Sequence, residues 1–243
     1  MSRPPREKNN RAAAAAEAPA WLTLGRAALI LALCVGVFYA DSLHSSFVGF
    51  DDNTIVAPLL NPGPPAPQPE TFVDAFVFGR KMRLWSHQLD VRLYGGNLRG
   101  HHLSNVAYHL LASEAALLAA SRLLPPPAAL AAALFFALHP LQTESAAFLA
   151  GRRDLLMGLF YLAAFWLWMR WRDRGGRMTL AGCAAAAAAG VLSKPTAVSF
   201  PLMIAAYEAW RGDPDGYWTP KRRAWAAAAA AACTAVVVWA ALT

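Results

Sequence analysis

Long apolar runs, separated by short charged loops, dominate this sequence from residue 21 onward. The chain of 243 residues is 57% hydrophobic and only 15% charged, whereas a soluble domain carries about a quarter charged residues. The apolar residues fall in blocks rather than in strict alternation, which favours membrane helices over the strands of a soluble sheet. The sequence therefore predicts an all-α, polytopic membrane helix bundle.

We predict about seven membrane spans, several of them shorter than the roughly 20 residues that a full span needs. The apolar blocks cover approximately residues 21–40, 105–124, 128–138, 155–171, 179–192, 196–210 and 224–242. Pro201 lies inside the sixth block, where neighbouring helices would have to satisfy the carbonyl group that it frees. Residues 1–20 are predicted to be a disordered cytoplasmic tail, and residues 21–243 a single transmembrane module that opens with an uncleaved signal anchor.

The distribution of lysine and arginine predicts the orientation of this module. With the N-terminus in the cytoplasm, most of the 22 basic residues fall on inner segments, as the positive-inside rule requires. Residues 41–100 then form the first outer loop, on the periplasmic or lumenal side, and its amphipathic pieces at 71–78 and 85–93 are expected to lie flat at the interface. The net charge of +7 does not indicate a nucleic-acid partner, because the basic residues lie in short clusters between apolar blocks.

Two adjacent carboxylates, Asp51 and Asp52, follow the first span by about ten residues and so lie on the predicted outer surface. Neighbouring side chains point in different directions in both strands and helices. One carboxylate can therefore face a site while the other orients backbone or pairs with a cation. A helix N-cap or a solvated loop is the alternative interpretation.

His102, Asn105 and His109 have helical spacing and share one face of the second span. Such a polar face either lines a cavity or hydrogen-bonds to a neighbouring helix. A metal site built on His102 and His109 lacks a clear third ligand. We therefore assign no metal to this face, and a divalent ion stays an open alternative.

The loop that follows the third block is the densest in polar residues. His139 and Glu144 flank a turn, and Arg152, Arg153 and Asp154 begin the next span. Arginine side chains suit phosphate recognition because their planar forks match phosphate oxygens. Alternatively, the arginines anchor the helix at the interface, paired with Asp154.

An acidic pair, several cations and a few histidines at one membrane surface suit the transfer of a sugar from a lipid phosphate. Asp51 would accept the proton of a hydroxyl acceptor, and fixed cations would stabilise the departing phosphate. Lys194 lies in a loop on the same predicted side. It can supply a point charge for that phosphate or extend to the lipid headgroups.

Five motifs, occurring in family order along residues 47–205, resemble the membrane half of the transmembrane and tetratricopeptide-repeat O-mannosyltransferases, within the GT-C class of glycosyltransferases. The motifs are Phe50-Asp51-Asp52, His102-Leu-Ser-Asn105-Val-Ala-Tyr-His109, Leu134-Phe-Phe-Ala-Leu-His139-Pro140-Leu-Gln-Thr-Glu144, Gly151-Arg-Arg-Asp-Leu-Leu156 and Ser193-Lys194.

The resemblance implies a GT-C-like core and an inverting glycosyltransferase that moves a sugar from a polyprenyl-phosphate donor to a hydroxyl acceptor on a protein or glycan. Together with the residue chemistry, it assigns three groups of residues. The assigned roles are catalytic for Asp51 and Asp52, donor-phosphate binding for Arg152, Arg153, Lys194 and His102, and supporting for Asn105, His109, His139, Glu144 and Asp154.

The sequence departs from the family pattern in two respects. Pro195 follows Lys194 where the family usually has glutamate, and the chain stops after about seven spans without repeats. We therefore expect an N-terminal portion, an inactive relative, or a split protein whose bundle a second chain completes. The alternative function is that of a non-catalytic membrane subunit or lipid-phosphate-binding scaffold.

Overall fold

The computed structural model describes residues 19, 21–47, 52, 56–60 and 81–212, and these contain helices and turns but no β-strand. Numbered in chain order, the α-helices are α1 (Leu24–Phe38), α2 (Ala57–Leu60), α3 (Lys81–Tyr94), α4 (Leu98–Ala120), α5 (Pro126–Leu138), α6 (Pro140–Ala147), α7 (Arg152–Arg174), α8 (Arg177–Ser193) and α9 (Phe200–Arg211). Short 3-10 turns cover Ala40–His44, Leu149–Gly151 and Pro195–Ser199. The predicted all-α class is confirmed.

Helix α4 lies at the centre of the bundle and contacts α1 and α5 as well as α7. On the first side, Leu31 and Val35 of α1 pack against Ala133 and Ala137 of α5, and all four side chains are buried. The small alanine side chains let the two backbones approach closely. The burial of these apolar side chains forms the first of two cores.

The second core lies between α7, α8 and α9. Phe165 and Met169 of α7 contact Cys183 of α8 and Phe200 at the start of α9. Helix α8 consists mostly of alanine and glycine, as the sequence indicated for close packing. A Cβ atom added at Gly190 would lie 3.4 Å from a side-chain atom of the following 3-10 turn.

The outward faces of α1 and α5 are apolar. Val37 is 79% exposed and Phe135 is 70% exposed. Large apolar surfaces of this kind mark contact with lipid or with another protein.

Across the described ranges, none of the helices combines the length with the apolar character that a bilayer crossing requires. The number of spans and their orientation stay predictions, and the last apolar block, residues 224–242, lies outside the described residues.

Two helix boundaries differ from those that the sequence indicated. Helix α4 begins at Leu98, before the apolar block, because the side chain of Asn97 caps it by accepting a hydrogen bond from the Arg99 N–H. Helix α9 begins at Phe200, so Pro201 occupies its first turn. Pro201 therefore does not lie in the interior of a helix. The expectation that it frees a carbonyl group is wrong, since a first-turn N–H has no intrahelical partner to lose.

Helix α3 has the reverse of the usual amphipathic arrangement. Its buried side chains are Arg83, Ser86, His87 and Asp90, and its exposed ones include Leu84, Trp85, Leu89 and Leu93. The polar face packs inward against α4, α7 and α8. The predicted amphipathic segment at 85–93 is thus part of a longer helix that turns its apolar face outward.

Candidate functional site

A short buried loop, residues 148–151, connects α6 to α7 and organises the polar residues around it. Leu149, Ala150 and Gly151 are all buried. A Cβ atom added at Gly151 would lie only 2.7 Å from the carbonyl oxygen of Ser145 and 2.8 Å from its Cα atom. Because both atoms belong to the backbone of α6, only glycine fits here, and the loop is held tightly against that helix.

This loop holds Asp52, the second of the two adjacent carboxylates Asp51 and Asp52, which we call the acidic motif. The N–H of Ala150 donates a hydrogen bond of 2.8 Å to Oδ1 of Asp52, which is fully buried. His102, also fully buried, lies near the same carboxylate. Burial lowers the pKa of His102 most, while Asp52 and the Ser45 backbone oppose that shift. Asp51 lies outside the described residues.

Arg152, the first residue of α7, lies at the centre of a buried polar network. Its Nη1 is 2.6 Å from Oδ2 of Asp90, its Nε donates to Oδ1 of Asn105 at 2.7 Å, and its Nη2 donates to the His101 carbonyl at 2.9 Å. Asn105 in turn donates to the carbonyl of Phe148 at 2.9 Å. The network thus joins α3, α4 and the loop, and its central guanidinium group has no exposed surface.

The environment of Arg152 keeps it charged although it is buried. Burial lowers the pKa of Arg152, and the neighbouring Asp90 carboxylate offsets part of that shift. The ring of Tyr108 lies 5.5 Å from the guanidinium carbon and adds a cation–π contact. The prediction that Arg152 binds a donor phosphate stays a prediction. In the described part of the chain its guanidinium group contacts Asp90, Asn105 and the His101 carbonyl.

The buried face of α3 contributes side chains that the sequence reasoning did not single out. Asp90 accepts a hydrogen bond from Ser104 at 2.8 Å and lies 3.6 Å from Nδ1 of His101. Burial, assisted by the charges of Arg152 and Arg83, lowers the pKa of His87 to about 2, so its imidazole is neutral. Helical spacing of four and three residues along Arg83, His87 and Asp90 was the available signal.

Three predicted residues form a second, partly exposed group, which we call the cation cluster: Arg153, Asp154 and Lys194. Arg153 Nε lies 3.4 Å from one oxygen of Asp154, and Lys194 Nζ bonds to the other. The three side chains are 27%, 28% and 31% exposed, respectively. Unlike Arg152, these two cations are therefore accessible to an anion.

The remaining predicted residues lie elsewhere. His109 contacts the carbonyl of Ala137 through Nε2 at 2.8 Å, and the same oxygen accepts from Tyr39 at 3.1 Å. This geometry favours the interhelical hydrogen-bonding alternative for His109. His139 caps α6 by accepting from the Leu141 N–H at 3.2 Å, and Glu144 is exposed on α6.

The stretch 148–154 therefore bonds the buried Asp52 through Ala150 and carries Arg153 and Asp154 of the cation cluster, which Lys194 completes. The buried network around Arg152 fixes this stretch. The arrangement can hold an anionic ligand at the partly exposed cations of the cluster.

Comparison with known proteins identifies relatives of this chain. The family model described as dolichyl-phosphate-mannose-protein mannosyltransferase matches residues 82–240. A protein O-mannosyl-transferase, Tmtc2 of Drosophila melanogaster, is 37% identical over 83 residues, which are 32% of this chain and 9% of that protein. The protein O-mannosyl-transferase TMTC3 of Homo sapiens is 29% identical over 149 residues, and that of Mus musculus is 28% identical over 143.

The two mammalian alignments cover 56% and 54% of this chain but only 16% and 15% of those proteins. The chain thus aligns with less than a fifth of each curated relative. No solved structure gives a significant match. The family model, however, spans well over half of the chain, from α3 through the residues that follow α9. The chain belongs to the dolichyl-phosphate-mannose-protein mannosyltransferase family.

Proposed function

We propose that this chain is the membrane-embedded core of an inverting glycosyltransferase. It would move a sugar, with mannose the first candidate, from a polyprenyl-phosphate donor to a hydroxyl group of a protein. One observation carries the proposal: the stretch 148–154 bonds Asp52 through Ala150 and, within four residues, carries Arg153 and Asp154, which Lys194 joins in the cation cluster. Family membership and the names of the curated relatives support it.

The cation cluster is the proposed site of the donor phosphate. Lys194 and Arg153 share the single carboxylate of Asp154, which leaves a net positive charge at a partly exposed position. A phosphate can approach them, and charge-assisted hydrogen bonds would hold it. Arg152 has a different proposed role, which is to fix the loop from inside the bundle.

The acidic motif is the proposed source of the base. Because the Asp52 carboxylate is buried and engaged by a backbone N–H, we assign it to holding the segment, and Asp51 to accepting a proton. His102 lies beside Asp52 and supports the same segment rather than the donor phosphate.

In the proposed reaction the acceptor oxygen attacks the anomeric carbon on the side opposite to the phosphate. The new carbon–oxygen bond forms as the carbon–oxygen bond to phosphate breaks, which inverts the anomeric configuration. The hydroxyl proton passes to Asp51, and the lipid phosphate leaves with the bonding electron pair. Lys194 and Arg153 stabilise the charge that grows on the leaving phosphate.

The apolar face of α3 suggests where the donor lipid would lie. Leu89 and Leu93 are exposed on α3, and this helix packs against α8, which ends next to Lys194. A lipid chain along this face would bring its phosphate toward the cation cluster. The proposed setting is a multi-pass membrane protein with a cytoplasmic N-terminus and the site on the periplasmic or lumenal side, with a second chain as a further candidate partner.

The decisive experiment compares Asp51→Asn with Asp41→Asn in the purified chain in lipid nanodiscs. Asp41 is an exposed aspartate ten residues earlier, so it is a matched control. With a polyprenyl-phosphate mannose and a peptide rich in serine and threonine, we expect Asp51→Asn to lower the transfer rate by about 100-fold or more. Wild-type rates in Asp51→Asn would refute the proposal.

A non-catalytic scaffold that binds lipid phosphates is the second candidate. The cation cluster favours it, because its partly exposed cations can bind an anion whether or not a catalytic base is present. Saturable binding of the donor without turnover by the wild-type chain, unchanged by Asp51→Asn, would support the scaffold over the enzyme.

A further inference from the structure

A cluster of three buried side chains lies where α3 meets α4. His87 and Asp90 are on α3, and His101 is in the first turn of α4. One ligand atom from each lies within 4.8 Å of the others. His101 Nδ1 and Asp90 Oδ2 are 3.6 Å apart, close to the roughly 3.4 Å that separates two ligand atoms on one tetrahedral zinc ion with bonds of about 2.1 Å.

The tautomer of His101 leaves one nitrogen available for this cluster. Its Nε2 lies 3.0 Å from the carbonyl oxygen of Gly95. Since a carbonyl can only accept, Nε2 donates to it, and in the tautomer that carries its proton on Nε2 the lone pair of Nδ1 points toward the Asp90 carboxylate. Two acceptors facing each other repel unless a cation lies between them. A carbonyl contact on the far nitrogen is also the usual support of a metal-binding histidine.

His87 adds a second unexplained group. Its ring is fully buried, and neither ring nitrogen has a hydrogen-bond partner among the described residues. Burying an unpaired polar atom is costly. Coordination of one nitrogen to a metal would remove part of that cost.

Asp90 can serve as a ligand while keeping its present contacts. Its Oδ1 accepts from Ser104, and its Oδ2 lies 2.6 Å from Arg152 Nη1. A carboxylate oxygen has two lone pairs, so Oδ2 can contact Arg152 and still offer one to a metal. The cluster offers a single carboxylate, which disfavours hard cations that depend on several oxygen ligands. Two imidazoles and one carboxylate are instead a ligand set that zinc uses when it keeps a fourth position for water or an anion.

We propose that His87, Asp90 and His101 form a zinc site between α3 and α4, with its fourth position open to water or an anion. The proposal does not depend on the transferase activity. It also differs from the pair His102 and His109 considered from the sequence, since His109 is engaged by Ala137.

The test measures metal binding by the purified full chain after treatment with a chelator. Titration calorimetry with Zn²⁺, and absorption spectra with Co²⁺ as a probe, should show one equivalent bound in the wild type. His87→Gln should weaken binding about tenfold or more, and Zn²⁺ should raise the Tm of the wild type but not of this variant. His87→Gln removes no hydrogen bond of the described residues, so its fold is expected to persist, as circular dichroism would verify.

The matched control is His44→Gln, since His44 is exposed in the turn after α1. It should bind metal as the wild type does. Equal zinc affinity in wild type and His87→Gln, or an equal loss in His44→Gln, would overturn the proposal. So would a wild type whose Tm does not respond to Zn²⁺ while His101→Gln lowers the Tm, because the cluster would then be a structural pair of His101 and Asp90.

Discussion

Arg152 and Arg153 are adjacent in sequence, but the structure gives them different environments. Consecutive residues on a helix diverge by about 100°, so Arg152 points into the bundle while Arg153 points toward its surface. The first has no exposed surface, and the second is 27% exposed. We therefore expect the two side chains to contribute to different properties: Arg152 to stability and, under the proposed function, Arg153 to anion binding.

Replacing Arg152 with glutamine should destabilise the protein strongly. The change removes the guanidinium group that pairs with the buried Asp90 carboxylate. Breaking a buried ion pair in this way costs about 3–5 kcal/mol. Chemical denaturation in detergent should show this loss, while Arg153→Gln should change the free energy of unfolding by less than about 1 kcal/mol. Similar losses for both variants would contradict the assignment.

The cation cluster can be tested with two variants that break the same ion pair. Lys194→Gln removes a cation, and Asp154→Asn removes the carboxylate that Lys194 contacts. If Lys194 binds the donor phosphate, Lys194→Gln should weaken donor binding about tenfold, whereas Asp154→Asn should leave it equal or stronger. Binding measurements with a fluorescent polyprenyl phosphate would decide. Equal weakening by both variants would indicate that only the ion pair matters.

Residue chemistry predicted which side chains are unusual but not which partners they have. Asn105 and Arg152 were both candidates, and their mutual hydrogen bond joins residues 47 positions apart in the chain. Asp90 and His87 were missed because they lie in a segment assigned to an interfacial surface. The spacing of polar residues along a helix reveals a shared face, but not whether that face points inward.

At the scale of elements, the loop 148–151 depends on one glycine. A methyl group at Gly151 would collide with the backbone of Ser145, which cannot move without α6. Gly151→Ala should therefore cost about 1–3 kcal/mol of stability and, by displacing Ala150 from Asp52, reduce transfer activity. The measurement is the Tm together with the transfer rate.

Gly158→Ala is the control for this prediction. Gly158 lies within α7, the helix that follows this loop, and an added Cβ there would meet nothing within 4 Å. Since alanine is the better helix former, the control should leave the Tm unchanged or raise it. A Gly151→Ala variant that behaves like this control would show that the loop tolerates displacement.

The helices were predictable where their sequence is uniformly apolar, and less so where polar residues are buried. The block at 128–138 matches α5 closely, and that at 179–192 matches α8. The start of α4 was instead assigned to the first outer loop, and only residues 85–93 of α3 were assigned to a short amphipathic piece at the interface. The physical reason is that their polar residues pair with one another inside the bundle, as Asp90 does with Ser104. A sequence pattern shows polarity but not pairing.

At the scale of the whole molecule, α7 connects two buried ion pairs. At the beginning of α7, Arg152 pairs with Asp90. Near the end of α7, Arg172 pairs with Glu208 of α9, with the Arg172 Nε 3.0 Å from the Glu208 Oε1. With a rise of 1.5 Å per residue, these two arginines are about 30 Å apart, close to the thickness of a bilayer's hydrocarbon core. The sequence prediction of a span at 155–171 excluded both arginines, because charge normally marks the end of an apolar block.

This separation predicts that the two ends of α7 act independently. Glu208→Gln removes the charge that faces Arg172 and weakens the acceptor of Trp168 Nε1–H, so it should cost about 3 kcal/mol of stability. It should not change donor affinity, because the cation cluster lies at the other end. In the double variant with Lys194→Gln, the changes in the free energy of unfolding caused by the two single substitutions should add to within about 0.5 kcal/mol, as such changes do for distant sites. The free energies of unfolding and the donor affinities of the four proteins in this cycle test the point. A coupling above about 1 kcal/mol would mean that α7 transmits strain between its ends, and the site could then no longer be treated separately from the rest of the bundle.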